Sequence, residues 1–109
     1  MMYVDFTAGA KDYKLRLSTR DVVALETKLG CNPLALFGEG DKLPTITEMV
    51  TVLYFSMQQL NHGIGMEDTY SIFDAYLEEH AATDFIPVIL EIYKASGLIP
   101  KGESGRKNA

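Results

Sequence analysis

Cysteine occurs once, at Cys31, so these 109 residues can hold neither an internal disulfide nor a zinc cluster built on cysteines. No stretch reaches the roughly eighteen consecutive apolar residues that a membrane-spanning helix needs, and none is expected to cross a bilayer. The opening MMYVDFTAGAKDYKL carries an early aspartate and no long apolar run, which is not the pattern of a secretory signal peptide. Charge of one sign is missing from nearly half the chain. Residues 43–93 hold eight acids (Glu48, Glu67, Asp68, Asp74, Glu78, Glu79, Asp84, Glu91) and no Lys or Arg. A protein that grips a duplex needs a basic face to displace phosphate counterions, and this stretch would repel phosphate. Nucleic acid is not an expected partner.

Catalytic motifs are equally scarce. There is no GxSxG elbow, phosphate loop or dinucleotide fingerprint, and the glycines at 38, 40, 63 and 65 occur as GEG and GIG. His62 and His80 lie far apart with no HExxH-like spacing, so both read as helix-end residues, His80 suiting the negative end of a helix dipole. Glu78, Glu79 and His80 are consecutive, and consecutive helical residues point in different directions, so a solvated face is expected there. Cys31 has no nearby histidine or base to lower its pKa and reads as an inert packing residue. The five methionines read as core filler. No enzymatic activity, cofactor or metal is expected.

What is present describes one small domain. A hydrophobic fraction of 47% and a charged fraction of 23% are ordinary for a globular chain. A chain of this length buries roughly 60–70% of the surface it exposes when unfolded, enough for one modest core. The fold class expected is mainly α, a small bundle of four to five helices with a short N-terminal β-hairpin. YVDF and YKLRL alternate apolar and polar residues around Gly9, which places the hairpin at 2–17, with Tyr13, Leu15 and Leu17 on one face. Two strands alone are marginal, so the hairpin must lie on helices or pair with another chain.

Helices are expected at about 19–29, 33–37, 46–61, 66–80 and 84–96. Ser18 with Asp21, and Thr45 with Glu48, have capping-box spacing, Asn32-Pro33 opens the short second helix, and Thr83 is placed to cap the last. Gly30 ends the first helix. The third is apolar nearly all round, with Ile46, Met49, Val50, Leu53, Met57 and Leu60 on one face, which belongs in the middle of a bundle. Asn61-His62-Gly63 ends it. In the fourth, Tyr70, Phe73 and Leu77 form the apolar stripe, and Glu67, Asp74 and Glu78 face solvent. The last carries Ile86, Ile89 and Tyr93 on one stripe and Phe85, Val88 and Ile92 on a neighbouring one. Residues 1–97 form the single domain. Residues 98–109 are expected as a flexible polar tail, since KGESGRKNA has too little apolar surface to offset its ordering entropy.

LRLSTRDVVALETKLGCNPLALF, residues 15–37, resembles the opening of tail assembly chaperones from long-tailed, siphovirus-type bacteriophages and prophages of Gram-positive bacteria. The resemblance rests on Leu29, Gly30, Asn32, Pro33 and Leu34, then on the Asn61-His62-Gly63 turn, the Phe73–Leu77 helix and TDFIPVILEIYKASG, over about residues 11–97. It implies a non-enzymatic protein of the host cytoplasm, absent from the mature virion, that binds the tape measure protein and helps recruit tail tube subunits. It also implies self-association, and a longer form made by ribosomal frameshifting near the end of the short reading frame. Lys107-Asn108 suits that, because it can be encoded by a slippery run of adenines. The alternative class is a small acidic adaptor or inhibitor of a basic partner, which the acid-only stretch supports equally. Under either, the expected partner-binding residues are Asp74, Glu78 and Glu79 as a polar rim, with Ile92 or Tyr93 as apolar anchors on a stripe left open.

Overall fold

Ala8 pairs with Lys11 across a two-residue turn, Gly9-Ala10, and that register runs back to Val4 opposite Leu15. The strands are β1 (Val4–Ala8) and β2 (Lys11–Leu15), in a computed structural model that describes residues 1–37 and 42–101. Within this turn only the first residue, Gly9, has positive φ, at 64°, as a type II′ hairpin requires and glycine permits. Phe6, Ala8 and Leu15 are buried on the inner face, with Leu17 beyond them and Tyr13 half-buried. The hairpin lies on the helices, β1 against α3 (Met66–Leu77) and α4 (Phe85–Ala95), and β2 against α2 (Ile46–Met57).

The outer edge of β2 is met at Lys14 by one side chain, and just beyond the strand the Arg16 N–H donates to the Ser56 carbonyl. Asn61 Oδ1 accepts from the Lys14 N–H at 3.2 Å, and Asn61 Nδ2 donates to the Lys14 carbonyl at 2.6 Å. The amide thus stands in for the next strand of the sheet. This corrects the expected end of α2 at 61. The helix stops at Met57, and the chain turns so that Asn61 can reach β2 while still donating to the Met57 carbonyl.

Helix α1 (Thr19–Leu29) starts at a complete capping box, with Ser18 Oγ accepting from the Asp21 N–H and Asp21 Oδ2 accepting from the Ser18 N–H. It ends at Gly30, φ 74°, whose N–H donates to Glu26. A 3₁₀ segment, Pro33–Phe37, follows Asn32, whose side chain accepts from the Leu34 N–H. Thr45 and Glu48 form the second capping box, at 3.1 and 2.8 Å. Behind it α2 is buried on several sides, contacting α1, α3, α4 and β2. Its buried hydroxyls are satisfied internally, Thr51 on the Thr47 carbonyl and Ser56 on the Leu53 carbonyl. Ile46 departs from the expected apolar face and is 50% exposed.

Two boundaries near α4 differ from expectation. Helix α3 ends at Leu77 rather than 80, because the Glu78, Glu79 and His80 N–H groups turn back onto Ala75 and Tyr76. Thr83 does not cap the last helix. It is exposed inside a short 3₁₀ segment, Ala82–Asp84, where Asp84 Oδ2 accepts from the Ala81 N–H at 2.9 Å. Pro87 falls in the first turn of α4, where a missing N–H costs little. At the other end Gly97 (φ 83°) completes a Schellman close, Leu98 donating to Tyr93 and Gly97 to Lys94. The Arg16 guanidinium adds a bond to the Ala95 carbonyl at 2.6 Å, tying the hairpin to the C-terminus of α4.

The core has an aromatic centre. Phe6, Phe73, Tyr76 and Phe85 meet with ring centroids 5.0–5.9 Å apart, joining β1, α3 and α4. Leu98 and Ile99 pack half-buried against the core, and the rest of the expected tail from 102 lies outside the described residues. The architecture is mainly α with a short hairpin, and no helix among the described residues is long and apolar enough to cross a membrane.

Candidate functional site: a groove along α2 and α3

Helix α3 has more apolar residues than one face can hold, and the structure divides them. Ile72, Phe73 and Tyr76 are buried with Thr69, on the side of α3 that meets α2, β1 and the Phe85 ring of α4. Tyr70 and Leu77, expected as core with Phe73, are 49% and 38% exposed. The aromatic cluster decides this: Tyr76 packs tilted or edge-on among Phe6, Phe73 and Phe85, and turning α3 to bury Tyr70 would take Tyr76 out.

The exposed side of α3 walls a groove of about 400 Å³. Met66, Tyr70 and Leu77 run along that wall, with Phe73 at its base. Helix α2 contributes Ile46, Thr47, Val50 and Thr51, and the Thr51 hydroxyl is already used by the Thr47 carbonyl at 2.6 Å. Two charges reach the groove, Asp74 from α3 and Lys28 from the last turn of α1. Asp74 lines the groove, and Glu67 and the C-cap residue Glu78 lie at near-whole turns from it on the same exposed side of α3, which gives that side of the groove an acidic edge. The ion pairs among the described residues are Lys94–Glu91 and the longer His80–Asp84 contact at 3.9 Å, and neither involves this edge.

The expected partner-binding residues separate. Asp74 lines the groove, and Glu78 and Glu79 are exposed just past the end of α3. Ile92 and Tyr93 are 0% exposed, which corrects their assignment as anchors. Both stripes of α4 face the core, with Ile86 and Val88 half-buried against it. Tyr93 donates its hydroxyl to the Pro33 carbonyl at 3.0 Å, and burial, with smaller contributions from Cys31 and Glu48, pushes its phenol above the ordinary range. Cys31 is exposed rather than packed. His62 is exposed in the turn after α2, and His80 stacks on Tyr76 at 4.4 Å.

Sequence reasoning missed the groove because it credited Tyr70, Leu77 and Ile46 to the core. A signal was available: α3 carries two apolar stripes, Tyr70/Leu77 and Ile72/Tyr76, yet an edge helix needs only one. A family model described as "Family of unknown function (DUF6096)" matches residues 4–109. No curated protein and no solved structure matches the chain.

Proposed function

The chain belongs to the DUF6096 family, a family of unknown function, and we propose that it is a non-enzymatic tail assembly chaperone of a long-tailed phage or prophage. In this reading a small helical bundle presents the groove to the tape measure protein and helps recruit tail tube subunits, in the host cytoplasm and not in the finished virion. The observation that carries the binding role is the open apolar strip of Ile46, Tyr70 and Leu77 along the groove. A chaperone must cover apolar surface on a partner awaiting assembly, and an exposed strip edged by charge can do so reversibly. The phage role itself rests on the sequence resemblance over residues 11–97.

Co-expression with the tape measure protein encoded in the same genome, followed by size exclusion, tests this. A complex that elutes together, with tape measure protein that is insoluble alone kept in solution, is the expected result. Separate elution of the two proteins overturns the reading. The acidic edge of Glu67, Asp74 and Glu78 favours the second reading, an adaptor that covers a basic partner. Stoichiometric capture of a nuclease or repressor in place of the tape measure protein would select it.

A further inference from the structure

We propose that the groove takes one helix of its partner, apolar on the face that enters and basic along the flank that meets α3. This rests on the binding role above and specifies the partner segment.

The backbone chemistry of the groove selects a helix. Its floor and long wall are the α-helices α2 and α3, whose N–H and C=O groups are spent on their own turns. An extended peptide laid there would find no ladder partners for its backbone, and burying unpaired amides is costly. A helix satisfies its own backbone and needs only apolar side chains at one-turn spacing. The wall from Met66 to Leu77 covers the length of α3, roughly 16 Å at 1.5 Å per residue, enough for three turns of partner helix.

Charge sets how that helix is turned about its own axis. The edge formed by Glu67, Asp74 and Glu78 belongs to the stretch 43–93 that holds no Lys or Arg. Unlike Glu91, which has Lys94 at 3.2 Å, these three acids have no cation within salt-bridge reach among the described residues. Lysines or arginines on the α3 side of the partner helix would complete them. An acid on the opposite flank would meet Lys28 at the α1 side. Apolar anchors then supply affinity, while the acidic edge governs on-rate and rejects helices with acidic flanks.

The test uses the full chain and two synthetic helical peptides with the same three-leucine stripe, one with lysines along a flank and the other with glutamates there. Fluorescence anisotropy should show the lysine peptide binding roughly tenfold tighter or better in about 50 mM salt, with the gap narrowing in about 500 mM salt. Leu77→Asp, with the far-ultraviolet circular dichroism unchanged, should weaken the lysine peptide by a similar factor. Asp74→Lys with Glu78→Lys should reverse the preference. Asp5→Lys with Glu91→Lys, the same change in net charge away from the groove, should leave it in place. Equal binding of the two peptides, no binding of either, or indifference to Leu77→Asp overturns the proposal. A tape measure complex that forms as well with Leu77→Asp as without it overturns the groove assignment and leaves the chaperone role standing. Failure of the unaltered chain to form that complex removes the role itself.

Discussion

Helices α3 and α4 are nearly equal in length, twelve and eleven residues, and each carries two apolar stripes, yet α4 buries both and α3 buries one. The difference lies in their neighbours. Helix α4 is held by α2 and β1, by the Pro33–Phe37 segment through Tyr93, and at its C-terminus by Arg16 and by the Leu17 N–H, which donates to Ser96 Oγ. Helix α3 has α2 and β1 on one side and the groove on the other. Apolar content therefore says how much surface a helix can hide, and the number of elements packed round it says how much it does. The stripe left over on α3 lines the groove.

The comparison breaks most visibly at the centre of α4. Ile92→Asp places a charge where no water reaches, and should cost about 4 kcal/mol or more, leaving a chain without a cooperative thermal transition by circular dichroism. Phe73→Ala comes next, because this side chain belongs both to the aromatic cluster and to the groove. A loss of about 3 kcal/mol in urea unfolding is expected, together with weaker binding in the groove.

Tyr93→Phe removes one buried hydrogen bond and should cost about 1 kcal/mol at neutral pH. Its pH dependence sharpens the point. The folded-state pKa of Tyr93 is raised above the ordinary 10.0, so the fold favours the neutral phenol. The stabilisation this provides is complete below pH 10 and falls as the pH climbs above it toward the folded value. Urea midpoints at pH 8 and about 10.5 should fall further for the unaltered chain than for Tyr93→Phe. Tyr13 and Tyr76 are also raised by burial, but they are common to both proteins and cancel in the difference.

The smallest expected effect is on the exposed stripe of α3. Tyr70→Asp and Leu77→Asp should shift stability by no more than about 0.5–1 kcal/mol, measured as a thermal midpoint within a few degrees of the parent. A collapse of stability in either variant would mean that this stripe is core, and the distinction between the two helices would disappear.

Much of the fold was legible in the sequence, and the reason is local. Ser18 with Asp21 and Thr45 with Glu48 are contacts between residues three apart, so the stretch that contains them decides them. The candidate site was half legible. Asp74 stood out through the missing cations around it, but Ile46, Tyr70 and Leu77 are the same residue types as the core. Nothing in their spacing distinguishes an open stripe from a closed one. The end of α2 escaped for a related reason: Asn61 leaves the helix to serve Lys14, forty-seven residues earlier in the chain.

The sequence by itself determined where α1 and α2 begin, where Gly30 turns the chain, and that a hairpin folds about Gly9-Ala10, because caps and turns are completed within a few residues. Tertiary structure alone decided that Ile92 and Tyr93 are core, that Tyr70 and Leu77 are surface, and that the sheet ends on a side chain rather than a strand. Each of those outcomes depends on which distant element arrives beside the helix or strand. The energy that settles it is the burial of one stripe against its rival, and only the assembled core sets that difference.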